Sequence, residues 1–197
     1  MCGTIDVYPF VGEVSVKSKQ LVLTAVGRDR PGIVEEFTKL ILHFDGNIEA
    51  SRMVRLGGDF AMLIFVSAPE DRIYELRAAI AELHYTKFDV LTRVSEAGDG
   101  IDEDEVHRCT ITVLGADHMG IINQVAQYLS EQGINLESMH TEVSAAPMSG
   151  TPLFSMSAEV MVPPRLAVDD LREAMEFIGE EMGVDTQIFE KTEGPAT

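Results

Sequence analysis

The chain has 197 residues, a hydrophobic fraction of 45% and a formal net charge of −18 from 15 basic and 33 acidic side chains. No apolar run approaches the ~20 residues that span a bilayer, and no basic stretch precedes an apolar block, so neither a membrane span nor a secretory leader is expected. The acidity opposes direct binding to nucleic acid, which needs cations to displace phosphate counterions; Arg28, Arg30, Arg52 and Arg55 are too few to reverse it.

In chain order, residues 1–19 read as a lead before the first strand. Removal of Met1 would expose Cys2 as an N-terminal nucleophile beside its own amine, as in glutamine amidotransferases. The chemistry needs a far larger domain than the chain provides, so no enzyme is expected. Residues 21–26 are short, apolar and rich in strand formers. The glycine-punctuated stretch GRDRPG follows, then Ile33, Val34, Phe37, Leu40, Ile41 and Phe44 at helical spacing, with Glu35, Glu36 and Lys39 opposite. Pro31 suits a first helical turn and Gly46 a helix stop. Residues 47–56 and 60–66 read as strands joined by a tight turn at Gly57 and Gly58. Ile73, Leu76, Ile80 and Leu83 mark a second amphipathic helix, and residues 85–94 a last strand. An acidic, turn-rich linker follows, from Glu96 to Glu105.

The pattern then returns. At a constant offset of 88 residues Gly27 meets Gly115, Asp29 meets Asp117, Gly32 meets Gly120, Ile33 meets Ile121, Asn47 meets Asn135 and Glu49 meets Glu137. Strands are expected at 108–114, 135–144, 153–162 and 184–189, and helices at 119–132 and 168–182, with a longer hairpin at 145–152. The organisation expected is a lead (1–19), repeat one (20–96), a linker (97–106), repeat two (107–191) and a tail (192–197). The fold class is α+β: two ferredoxin-like βαββαβ units, each an antiparallel sheet with both helices on one face. Residues 60–66 are apolar at every position, so the open face of repeat one is expected to be covered by another repeat or subunit. The matching strand of repeat two alternates with Ser155, Ser157 and Glu159, so its open face is expected to stay wetter.

Each GxDxxG corner joins a strand end to a helix start. A helix N-terminus presents unpaired N–H groups and partial positive charge, which suits an anion. In repeat one, the N–H groups of Gly32, Ile33 and Val34 can face a carboxylate while Asp29 accepts from an ammonium, which together describe an amino-acid site. Asn47 opens the neighbouring strand, either beside the same corner or across an interface. The purely structural alternatives are that Asp29 caps the helix, Gly32 permits close packing and Asn47 relieves a turn. DRPGIV after an apolar strand, with Gly-Asn-Ile leading into the next, resembles the ACT domain. That family is a βαββαβ regulatory module that commonly binds amino acids between copies, and two copies without an enzyme domain resemble the glycine cleavage repressors.

The resemblance implies ligand contacts at Asp29, Gly32, Ile33 and Asn47 and at Asp117, Gly120, Ile121 and Asn135. It also implies a small amino acid such as glycine as ligand, a homodimer, and a transcription-factor or enzyme partner. Met119 stands where repeat one has proline, and His118 where it has Arg30, so one corner of the two is expected to be altered. The five histidines and two cysteines show no metal-ligand spacing, and no cofactor motif is present; no metal or cofactor is expected. Two distant thiols fit a reducing, cytoplasmic compartment. The rival readings are an interaction module whose corners bind nothing, and an accessory subunit of an amino-acid enzyme.

Overall fold

The computed structural model describes residues 17–83, 88–95 and 106–191. Several sequence expectations fall outside the described residues: most of the lead with Cys2, residues 85–87 of the expected last strand of repeat one, His84, most of the linker, and the tail. The chain divides into two compact units, Met1–Asp99 and Gly100–Thr197.

Unit one runs β1 (Ser18–Arg28), α1 (Ile33–His43), β2 (Asn47–Leu56), β3 (Asp59–Pro69), α2 (Ile73–Glu82) and β4 (Phe88–Ser95). Unit two repeats it as β5 (His107–Ala116), α3 (Ile121–Gln132), β6 (Asn135–Ala145), β7 (Pro152–Val162), α4 (Val168–Met182) and β8 (Val184–Glu190). The strand orders are β2-β3-β1-β4 and β6-β7-β5-β8, with every paired ladder antiparallel. This is the expected βαββαβ pattern, twice. Several strands are longer than their apolar runs: β1 pairs with β3 from Ser18↔Pro69 to Arg28↔Asp59, because backbone pairing continues past the last buried side chain.

The helices follow from spacing. Ile33, Phe37 and Ile41 recur every four residues along α1 and are all buried. They meet Leu21, Leu23 and Ala25 of β1 and Met62, Ile64 and Val66 of β3, with Ile73, Leu76 and Ile80 from α2. Phe37 stacks edge-on against Phe88 at 5.5 Å between centroids. In unit two Ile121, Val125 and Leu129 of α3 and Leu171 and Met175 of α4 cover Cys109, Ile111 and Val113. Burial raises the Cys109 thiol above its ordinary value, so it is a core side chain and not a reactive one.

Two local expectations need correction. Pro31 lies in the turn before α1, which starts at Ile33. Gly46 does not take the left-handed conformation of a helix stop; Asp45 does, with φ 55°. Gly46 is needed for a close approach, since a Cβ there would stand 2.9 Å from the Ile41 carbonyl oxygen. In unit two the left-handed stop is Gly133, at the position of Asp45. Each preceding helix end also receives an arginine from the loop after the third strand. Arg72 donates to the His43 carbonyl at 3.2 Å and Arg165 to the Gln132 carbonyl at 2.6 Å, satisfying acceptors that the helix leaves unpaired.

The register places the open faces. In unit one Val22 lies across from Phe65, Thr24 from Leu63 and Val26 from Ala61, with Leu91 beyond Thr24. In unit two the same face carries Thr110 against Glu159 and Thr112 against Ser157, with Gln187 beyond Thr112. The centre of the first open face is largely apolar and that of the second more polar, although Leu114 and Phe189 are exposed on the second.

Candidate functional site

At corner one the Asp29 N–H donates to the Gly58 carbonyl at 3.2 Å, tying the end of β1 to the β2–β3 turn. Gly32 then sits at φ 88°, a conformation that side chains other than glycine rarely tolerate. A Cβ there would meet nothing within 4 Å, so the demand is on the backbone and not on packing. The first helical bond runs from Glu36 N–H to the Gly32 carbonyl at 3.0 Å. The N–H groups of Ile33, Val34 and Glu35 thus have no acceptor within the helix, and no side chain caps them. Asp29 is not the cap; its carboxylate pairs with Arg55 of β2 at 2.9 Å. An open depression of about 270 Å³ lies there, lined by Asp29, Arg30, Gly32, Ile33, Val34, Glu35 and Phe60. Arg30 grips Glu36 with two hydrogen bonds of 2.9 and 2.7 Å and lies over the Phe88 ring at 5.5 Å. That grip holds the Glu36 carboxyl below its ordinary value.

Corner two repeats the backbone. Gly120 has φ 103°, Gln124 N–H donates to its carbonyl at 3.0 Å, and Asp117 N–H donates to the Pro152 carbonyl at 3.1 Å. The first turn of α3 again lacks a side-chain cap. The side chains differ. Val143 occupies the position of Arg55, 88 residues on, so among the described residues no arginine or lysine pairs with Asp117. His118 occupies the position of Arg30 and joins the corner to the end of α4, with Nε2 2.6 Å from the Met182 carbonyl oxygen and Nδ1 3.2 Å from that of Met119. Those carbonyls, Met182 first, raise its pKa above the ordinary value, and Asp117 adds to the effect. The cavity is larger, about 620 Å³, walled by Val143 and Phe154 and bordered by Thr141 and Glu142 as well as by the corner itself.

The structure thus brings together Asp29, Gly32 and Ile33, and separately Asp117, Gly120 and Ile121. It does not bring the asparagines to them within a unit. Asn47 pairs with Ser67, which pairs with Gln20 near the start of β1; Asp29 lies nine residues further along, roughly 30 Å away at strand spacing. Asn135 is displaced from Asp117 in the same way, through Met161 and Arg108. The placement beside the same corner is ruled out, and a contact across an interface and a purely structural role remain. Within its own unit Asn47 donates to Glu49 at 3.2 Å, as does Ser67 at 2.5 Å; Ser67 foremost, these bonds hold the Glu49 carboxyl below its ordinary value. The register of β2 slips at Glu49 and that of β6 at Glu137, so the repeated glutamate marks a β-bulge.

Arg55, Glu142, Val143, Phe60 and Phe154 were not expected at the corners. The Arg55-to-Val143 exchange was visible at the repeat offset, but only strand register shows that these positions face the aspartates. Among the described residues, no group of three or more His, Cys, Asp or Glu side chains can hold a metal ion, and no helix is long and apolar enough to cross a membrane.

The ACT-domain family profile matches residues 19–95. A solved structure of an unknown protein from Galdieria sulphuraria is 31% identical, with a TM-score of 0.77, covering 89% of this chain and 100% of that one. The chain belongs to the ACT-domain family. A solved structure provisionally assigned as a glycine cleavage system transcriptional repressor shares the fold across both ACT units, at 20% identity and a TM-score of 0.64, covering 89% of this chain and 98% of that one. The glycine cleavage system transcriptional repressor of Escherichia coli (strain K12) is 45% identical over 47 residues, 24% of this ACT-domain chain. The match spans 25% of that repressor's own length.

Proposed function

We propose that this chain is a non-catalytic regulator that binds a small amino acid at a helix-start corner and acts through a protein partner. The observation that carries the reading is corner two: an uncapped first turn of α3 beside a carboxylate that no arginine or lysine among the described residues contests. A ligand carboxylate would accept from the N–H groups of Ile121, Ile122 and Asn123. Its ammonium would face Asp117, with Glu142 on the same cavity, and Val143 and Phe154 would take an apolar side chain. At corner one the ammonium must first displace Arg55 from Asp29, so corner one binds more weakly. Asn47 and Asn135 contribute only from a facing unit, which makes a homodimer part of the proposal. The likeness to a glycine cleavage repressor supports glycine as the first ligand to try and a transcription factor as the kind of partner.

One observation favours a ligand-free role for corner one: the Asp29–Arg55 pair already satisfies the acid there. In that reading unit one is an interaction module, or an accessory element for an amino-acid enzyme, and only unit two senses. Calorimetric titration with glycine, alanine, serine and their larger homologues tests both. At 100 times its dissociation constant a ligand should add ~2.7 kcal/mol to stability. Binding is expected to be lost in Asp117→Asn and kept in Asp29→Asn. If no amino acid binds, the sensing reading fails and the interaction module stands.

A further inference from the structure

On the outer face of unit two a groove of about 510 Å³ runs between α3 and α4. Its α4 side is built from Asp170, Glu173, Ala174, Phe177, Ile178 and Glu181, positions that recur at three and four residues and so share one helix face. Tyr128, Ala174, Phe177 and Ile178 supply apolar surface, and Phe177 is 61% exposed although it is the largest apolar side chain there. Glu131, Asp170, Glu173 and Glu181 border the groove, and among the described residues no lysine or arginine lines it. Glu131 accepts from Gln127 at 2.8 Å. The sole cation on the two helices is Arg172, and it is engaged with Asp169 and Glu190 and does not line the groove. Burial foremost, and the nearby Asp170 as well, raise the Tyr128 hydroxyl above its ordinary value. The helices of unit one differ: they carry Lys39 and Arg77, and Lys39 pairs with Glu35 at 2.7 Å.

We propose that the α3–α4 groove is the docking surface for a cationic amphipathic helix of a partner protein. Charge decides the occupant. Four carboxylates around an apolar strip repel one another, and lysines or arginines flanking the apolar face of an incoming helix would relieve that repulsion while the face covers Phe177. The lining positions of α4 extend for about 16 Å, which suits a partner helix of about three turns. A bare metal ion fits poorly, because the acids are spread along the groove and among the described residues none converge in a ligating group. The inference deepens the reading that the chain acts through a protein, since it names where and by what chemistry.

The probe is a fluorescent synthetic peptide of about four helical turns, with leucines on one face and lysines flanking them, titrated with the full chain and read by anisotropy. Saturable binding is expected, lowered about tenfold or more by Phe177→Ala and by Glu173→Lys with Glu181→Lys, and unchanged by Asp185→Lys, a charge reversal on β8. A scrambled peptide of the same composition should bind far more weakly. Equal binding of the scrambled peptide, equal losses in Asp185→Lys, or no saturable binding would each overturn the proposal. Amino-acid titration of the same variants reads corner two separately. A groove variant that keeps its amino-acid affinity is folded, and a failed groove leaves the sensing proposal intact, while a failed corner leaves the peptide result standing.

Discussion

His118 stands between two backbone carbonyl oxygens, Met182 at 2.6 Å and Met119 at 3.2 Å. A neutral imidazole donates from one nitrogen only, whereas imidazolium donates from both. Met182 is the last residue of α4, where the helix dipole is negative, so the cation is favoured there too. The folded pKa therefore lies above the ordinary 6.5. The stabilisation this residue supplies is fully present below pH 6.5 and is lost as pH rises through the raised folded value. The His118 imidazole resonances of the folded protein should titrate above 6.5, and wild type should lose melting temperature across that window relative to His118→Ala. A His118 titration at or below 6.5, or parallel pH profiles for the two proteins, would remove the contact from the account. Arg30 does the corresponding work in unit one by a different chemistry. It grips Glu36 and covers Phe88, with a charge that does not titrate in this range.

At the scale of elements, α1 shows which side chains hold a unit together. Phe37 is 1% exposed and contacts Phe88 edge-on, while Leu42 on the same helix is 72% exposed. Phe37→Ala is expected to cost about 3–5 kcal/mol, from lost burial and the cavity left behind. Leu42→Ala should stay within about 0.5 kcal/mol of wild type. Because the two units have separate cores, the first substitution should lower one calorimetric transition and leave a second near its original temperature; a single transition shifting as a whole would show the cores to be coupled. Much of this layout was legible in the sequence. The helical spacing of Ile33, Phe37 and Ile41 and the offset of 88 residues need only local pattern. What stayed hidden depends on non-local register. Nothing near Asn47 in sequence says that it lies at the far end of the sheet from Asp29, and nothing near Arg55 says that it faces that aspartate. The left-handed turn at Asp45 was hidden for another reason: glycine stood beside it, and the helix end gave the strained position to the aspartate.

For the whole molecule the contrast between the two open sheet faces matters most. Three cross-strand rows of unit one read Arg52–Leu63–Thr24–Leu91, Ala50–Phe65–Val22–Arg93 and Val54–Ala61–Val26–Asp89. The centre is largely apolar and the charges stand at the edges, which is the layout of an interface core with a polar rim. Leu63 is 46% exposed and Leu91 71%, so unit one by itself leaves them open. The corresponding rows of unit two carry Glu159, Thr110, Ser157 and Thr112 at their centre, with Leu114 and Phe189 exposed beside them, and Glu159 accepts from Ser138 and Lys191 within the unit. A second copy covering the face of unit one would also supply the facing unit that a ligand role for Asn47 needs. Sedimentation at micromolar concentration should therefore show a dimer for wild type and a monomer for Leu63→Lys with Leu91→Lys. The variant should keep its helix content, because in the monomer both side chains point into water and lysine adds no buried charge. The two results also bear on the corners. If the lysine variant is a folded monomer that binds an amino acid as tightly as wild type, the asparagines take no part and corner two is complete in itself. If affinity falls with dimerisation, the site is shared. A wild type that sediments as a monomer would leave this face to a different protein and take the asparagines out of the binding scheme.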